Sequence, residues 1–465
     1  MNTKLFAAVM CLLFHVMVCE LRFAFTFWRH GCRTPNEVNS QNVDILGSQW
    51  ANPGELLPTG MRMHYLLGLR NRNRWSGYLS SSYDVKEIYV KSTDYNRTIM
   101  SALSNLQGLY PPSTGPSLTV GQDAKALPPV TSTLFTAERV ALNGYALRGG
   151  VQVIPIHVMP KTDPYNWPIY GTSYCPSVFK EVLDNDKSDI NQNIVKSINT
   201  KWGSKLKQAL KLTDENWLLS FNNLNLIADS FISGYVADQP LKSFTDAGIN
   251  LEEFLEDAHE IEFNNMFYYY NGDANQMYSK MYVTSFFENM FRWMDTRVLY
   301  DQQGKGYTGF AAPKLAMFSS HDITLAAAQT LMAKAFNIGT FYKTPFASSF
   351  IFELFRPDNK VASSLVESDY TVKVTYNELN YLTLSYPEFK SKLQPFLLTK
   401  QEYDEYCGWT QQEIDLVPTS YIDATIVLSC LLFVAVIGLI VLLILLLKKP
   451  KQGQVLQTDK VMPTV

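Results

Sequence analysis

The sequence predicts an α/β fold, because three apolar stretches of strand length each end in a cluster of polar and basic residues, and two of them lead into a helical pattern. They begin at Leu21 ("LRFAFTFWRHGCRTP"), Val85 ("VKEIYVKSTDYNRTIMSA") and Pro313 ("PKLAMFSSHDITLAAAQ"). In the first, Leu21, Phe23, Phe25 and Phe27 alternate onto one face while Ala24 and Trp28 keep the other apolar. That is the pattern of a central strand covered on both sides. It ends in Arg29-His30-Gly31, where glycine permits a tight turn or a close approach and Pro35 stiffens the exit.

The second stretch reads as a strand near Glu87–Lys91, followed by Ser92, Thr93 and Asp94, residues of N-cap type. Arg97 falls in the first turn of the helix, and Ile99, Leu103 and Leu106 follow at helical spacing. The third reads as a strand near Lys314–Phe318, then Ser319-Ser320, His321-Asp322 and an alanine-rich helix. Helix N-termini offer free N–H groups and the positive end of a dipole, and open α/β sheets keep their ligands at the carboxyl ends of strands. Brought together, Arg29, His30, Arg33, Arg97 and His321 make a pocket for an anion with several oxygens, phosphate foremost. Taken singly, each has a plainer reading: Arg-His-Gly recurs by chance, and a histidine beside an aspartate at a helix start more often caps than catalyses. The joint pattern is what carries the expectation.

At 465 residues the chain exceeds an average domain, and a single α/β domain with a large insertion accommodates it. A formal net charge of −3 with 18% charged residues excludes the basic excess that nucleic-acid binding needs, so no nucleic-acid partner is expected. The first 19 residues, with Lys4, an apolar run and Cys19, have the order of a secretory signal. Thr425 to Leu447 holds no charged residue and precedes Lys448, Lys449 and Lys451. At about 1.5 Å per residue it makes roughly 34 Å of helix, enough to cross a hydrocarbon core of about 30 Å. The expected topology is therefore type I single-pass, with residues 20–420 outside the cytosol, a span at 425–447 and a tail at 448–465. Three cysteines remain in the ectodomain. Cys175–Cys407 is the expected disulfide, and Cys32, inside the basic motif, the odd thiol. The scattered histidines make no metal-ligand cluster, so neither metal nor cofactor is expected. His64 and His259 have no recognisable partners, and His157 reads as a structural interior histidine.

The motifs resemble those of the histidine acid phosphatases. "RHGCRTP" is similar to that family's Arg-His-Gly-x-Arg-x-Pro signature and "SSHDITLAAAQ" to its distal His-Asp motif, while "STDYNRTIMSA" is similar to the segment supplying a third phosphate-binding arginine. "LLPTGMRMHYLLGLRNRNRW" and "IPIHVMP" resemble the prostatic and lysosomal branch, and the resemblance runs from Leu21 to Cys407. Cys32 stands where that branch commonly has Asp. The resemblance implies a mostly parallel mixed sheet flanked by helices, as in the phosphoglycerate mutase-like fold, built from 20–159 and 301–420. A helical cap is inserted at 160–300. The strands are expected at Leu21–Trp28, Glu87–Lys91, Gln152–Ile156, Lys314–Phe318, Ser348–Leu354 and Tyr370–Thr375.

The resemblance further implies an acid phosphatase acting on phosphate monoesters. His30 is the nucleophile, Arg29, Arg33, Arg97 and His321 bind the phosphoryl group, and Asp322 protonates the leaving group. The competing readings are an inositol-phosphate or lipid-phosphate phosphatase of the same superfamily and an inactive surface receptor. A homodimer stays open. Two further expectations concern the motif's neighbours. Cys32 is expected to be a reactive thiol whose pKa the arginines lower. The sequon at Asn96 is expected to be unused, because a glycan there would crowd Arg97.

Overall fold

The computed structural model describes residues 19–407 except 37–49, 51, 131, 159–187, 215, 273–276, 306–312, 340–341 and 359. The strands are β1 (Cys19–Arg29), β2 (Ile88–Ser92), β3 (His157–Val158), β4 (Leu315–Ser320), β5 (Ser349–Pro357), β6 (Thr371–Tyr376) and β7 (Leu379–Ser385). They form one mixed sheet in the order β3-β2-β4-β1-β5-β6-β7. The helices, again in chain order, are α1 (Pro58–Arg74), α2 (Asn96–Leu109), α3 (Val120–Lys125), α4 (Leu134–Leu142), α5 (Asp189–Leu210) and α6 (Phe221–Val236). They continue with α7 (Lys242–Asp246), α8 (Leu251–Gly272), α9 (Met277–Gln302), α10 (Asp322–Phe336), α11 (Tyr386–Leu393) and α12 (Lys400–Cys407). Met1–Tyr403 and Asp404–Val465 are separate units, and the fold described below lies in the first.

β1 lies inside the sheet, parallel to β4 and antiparallel to β5. Its two faces are both buried, as the alternation predicts, with one exception. Phe23, Phe25 and Phe27 meet Phe318, Phe352 and the α9 rings of Phe286 and Trp293. Ala24 and Trp28 meet Trp75, Leu106 and Leu109 of the α1–α2 layer. Leu21 packs with this second set, because a register shift against β5 between Leu21 and Phe23 inserts an irregularity and reverses the alternation.

The expectation of a mostly parallel sheet holds on one side only. β1–β4, β4–β2 and β2–β3 pair in parallel, whereas β1–β5, β5–β6 and β6–β7 pair antiparallel. The antiparallel half is a meander. Its β6–β7 hairpin turns through Asn377 and Glu378, both at positive φ, the geometry that matches strand twist in a two-residue turn. β7 escaped the sequence reading, since its residues are only partly buried and carry no clean alternation. β3 begins at His157 rather than at Gln152–Ile156. Pro155 has no N–H to give a ladder, so pairing with β2 starts beyond it.

The stretch expected as a helical insertion divides in two. α5 to α8 build their own apolar cluster around Trp202, Leu206, Phe221, Phe231, Phe244 and Phe254. α9 instead lays Phe286 and Trp293 on the sheet. The signal segment up to residue 18, Cys175 and the 425–447 span lie outside the described residues. Among the described residues no helix is long and apolar enough to cross a membrane. Among the described residues the free thiols are Cys19 and Cys32, and Cys407 is not one of them.

α1 and α2 touch backbone to backbone. A Cβ added at Gly68 would lie 1.9 Å from the Asn105 carbonyl oxygen, and one added at Gly108 would lie 2.0 Å from that of Tyr65. Neither backbone has room to yield, so Gly68→Ala is expected to cost about 3 kcal/mol through overpacking. Urea unfolding of the variant beside the parent checks this.

Candidate active site

The three strand ends do converge. β4 sits between β1 and β2 with Arg29 opposite Ser320 and Ser92 opposite Ser319. The ladder continues past the strands, with His30 N donating to the Ser320 carbonyl (3.0 Å) and Thr93 N to that of Ser319 (3.2 Å). The layers are stitched by side chains as well: Trp28 Nε1 donates to Ser319 Oγ (3.1 Å), which donates to the Thr98 carbonyl (2.7 Å).

His30 is buried, and its Nδ1 lies 2.9 Å from the Gly31 carbonyl. That acceptor assigns the ring proton to Nδ1 and leaves the lone pair on Nε2. Burial first, then the charges of Arg97, Arg33, His321 and Arg29, holds its pKa well below 6.5. The ring stands edge-on to His321 with centroids 5.6 Å apart. Gly31 is needed for contact with another backbone rather than for a turn: a Cβ there would lie 2.4 Å from the Gly60 carbonyl oxygen at the start of α1.

Arg29 is enclosed. Its Nη1 donates to the Thr344 carbonyl (2.6 Å), its Nη2 pairs with Glu262 Oε1 (2.6 Å) and Asp322 Oδ2 (2.8 Å), and its Cζ lies 4.3 Å above the Phe346 ring. Burial disfavours this charge, but the carboxylates of Asp322 and Glu262 outweigh it and raise the pKa. Arg33 forks onto Asp229 of α6, with Nη2 at 2.8 Å and Nη1 at 3.2 Å. The Nε–H groups of Arg29 and Arg33 are buried without a hydrogen-bond partner among the described residues.

Arg97 lies in the first turn of α2, its Cζ 4.5 Å from the centroid of Tyr95. Tyr95 in turn meets His321 edge-on at 5.2 Å. The N-cap residue of α2 is Tyr95 rather than Ser92, Thr93 or Asp94, and like His321 at the start of α10 it makes no side-chain cap hydrogen bond. Thr93 instead contacts Thr98 Oγ1 (2.7 Å) and His321 Nε2 (3.0 Å), orienting that ring. Asp322 accepts from its neighbour Ile323 N (2.8 Å). On α2 itself, Leu106 is buried whereas Leu103 is 48% exposed, because the packed face is made of smaller residues, Ser101, Ala102 and Asn105.

Four readings of single residues change. Cys32 is fully buried with its Sγ 3.8 Å from the Ser233 carbonyl, and burial pushes its thiol up to about 12, outweighing Arg33 and Arg29. It is not a reactive thiol at the pocket mouth. His64 has a partner, donating from Nε2 to the Arg29 carbonyl (3.1 Å). His259 Nδ1 approaches Glu262 Oε2 (3.6 Å). His157 is exposed, stacked on Tyr89 at the sheet edge. Asn96 is exposed, and its amide donates to Glu55 Oε1 (2.8 Å) in a polar cleft of about 450 Å³ that also borders Arg97.

Asp229 and Glu262 are the site residues that the sequence reading missed. Asp229 had a usable signal, being the one charge in the sequence of α6, whereas Glu262 is one of several acids in α8.

Residues 20–377 match the histidine phosphatase superfamily (branch 2), and the chain belongs to that superfamily. It is 29% identical over 419 residues to the lysosomal acid phosphatase of Xenopus laevis, covering 84% of this chain and 79% of that one. Over 94 residues, 20% of this chain and 24% of the relative, it is 44% identical to the prostatic acid phosphatase of Bos taurus. Among solved structures it shares its fold with the phytase of Citrobacter braakii, at a TM-score of 0.53 and 13% identity over 84% of this chain and the whole of that one.

Two measurements test this geometry. Native protein treated with iodoacetamide should leave Cys32 unmodified, and label should enter the Cys32 peptide only after denaturation. His64 has its pKa lowered by burial from 6.5 to about 3, so below pH 6.5 the unfolded chain takes up a proton that the folded chain refuses. Stability therefore decreases as pH is lowered across that window, by up to about 1.4 kcal/mol per unit. His64→Asn removes the titration, so the parent's lead over the variant should shrink steadily from pH 6.5 towards 4. A constant lead would show that His64 is protonated in the fold.

Proposed function

We propose that this protein is an acid phosphatase that hydrolyses phosphate monoesters through a phosphohistidine on His30. The observation that carries the reading is a buried imidazole kept neutral by its surroundings, with Nδ1 engaged by the Gly31 carbonyl and three arginines close enough to depress its pKa. A histidine that stays unprotonated in acid is a nucleophile there.

In the first step His30 Nε2 forms a bond to phosphorus as the P–O bond to the alcohol breaks. The leaving oxygen takes the electron pair and a proton from Asp322. Arg29, Arg33, Arg97 and His321 hold the phosphoryl oxygens and offset the charge that builds on them. In the second step water attacks the phosphohistidine, Asp322 accepts its proton, and His30 leaves as neutral imidazole. The requirement for a protonated Asp322 in the first step places the optimum in acid. The relatives named acid phosphatases support the activity, and the shared fold with phytases leaves the choice of ester undecided. Cys175–Cys407 as a disulfide, a cleaved signal and a single C-terminal span complete the proposal, with the catalytic domain in a lumenal or extracellular space.

His30→Ala should abolish turnover and remove acid-labile radiolabel after brief incubation with labelled ester. Asp322→Asn should slow alkyl phosphates by at least about tenfold more than aryl phosphates, whose leaving groups need less protonation. Equal losses on both would remove Asp322 from the acid role.

A further inference from the structure

We propose that Asp229 and Glu262, carried by α6 and α8, are positioning residues that limit how tightly the arginine cradle holds phosphate and so set the rate of product release. The inference rests on the phosphatase reading. Three guanidinium groups around one phosphate in a buried site attract it strongly, because charges interact more strongly out of water and guanidinium matches phosphate in shape. A cradle of arginines alone would keep its product.

The structure places an opposing charge against Arg33 and another against Arg29. Asp229 takes both terminal nitrogens of Arg33, and its Oδ2 also accepts from Asn36 N (2.9 Å). Glu262 takes Arg29 Nη2 on the side away from Thr344, which holds Nη1. Both arginines are thereby oriented as well as partly neutralised, and a phosphoryl group meets cations whose charge is already shared. Asp322 also pairs with Arg29, but the leaving-group step needs it protonated. Asp229 and Glu262 have no such duty. Glu262 stays ionised in acid: burial opposes its charge, yet Arg29 and the contact from His259 hold its carboxyl well below the usual range.

Asp229→Asn and Glu262→Gln, made separately in the full chain, keep size and an acceptor oxygen while removing the charge. Calorimetry with inorganic phosphate at acid pH should show each variant binding about tenfold more tightly than the parent. Rapid mixing with an aryl phosphate should show a lower kcat with a larger burst of released phenol, since product release then limits turnover. A carboxylate that merely supports the fold would give the opposite, weaker phosphate binding and no burst, and that result overturns the proposal. So would failure of both variants to fold. Asp229→Glu, which keeps the charge, should retain parental phosphate affinity; tightening there too would assign the effect to geometry and refute it. Phosphate binding needs no turnover and is also read in His30→Ala. If no ester is hydrolysed but the neutral variants still bind phosphate more tightly, the phosphatase reading fails and the charge-balance reading stands.

Discussion

A fully buried guanidinium has to be paired, and the pairing of Arg29 organises this molecule. The residue ends the central strand, so its position is dictated by the sheet, while its partners come from elsewhere. Asp322 opens α10, Glu262 lies on α8, and the Thr344 carbonyl belongs to the approach to β5. Removing both carboxylates would leave the charge uncompensated in the interior, at a cost of about 3–5 kcal/mol. The same enclosure fixes the ring of His30 one residue on, since its backbone is tied on both sides, to Ser320 and to Ala347.

Strand order does the rest. β4 comes late in the chain yet enters the sheet between β1 and β2, the two strands formed first in sequence. Its carboxyl end therefore arrives between theirs, and His321 lies within ring contact of both His30 and Tyr95. The chain traverses more than two hundred residues between β2 and β4, enough to fold a helical cluster with its own apolar core. That cluster is more than a cover, because α6 and α8 deliver Asp229 and Glu262 to the arginines. The surroundings of the arginines are acidic, with Asp229 on Arg33, Glu262 on Arg29 and Glu55 bonded to Asn96 in the cleft beside Arg97.

Much of this was legible before folding. The alternation in β1, the polar ends of β1, β2 and β4 and the helices that follow two of them could be read from local pattern, because burial on two faces and a helix start both leave a short-range imprint. The reading failed where a distant partner overrode the local signal. A register shift against β5 turned Leu21 to the other face, Pro155 delayed β3, and Thr93 left the cap of α2 for His321. Cys32 was misread for the same reason: charge neighbours are visible in sequence, but the burial that outweighs them is not.

By itself the sequence determined which basic and acidic side chains lie at the strand ends, since residue type and spacing are local properties. Only the tertiary structure decided which ends meet, which ring nitrogen of His30 is left with its lone pair, and which carboxylates balance the arginines. Those depend on strand order, burial and contacts between residues as far apart as Arg29 and Glu262, and a guanidinium's partner is chosen by proximity in space, which sequence spacing does not encode.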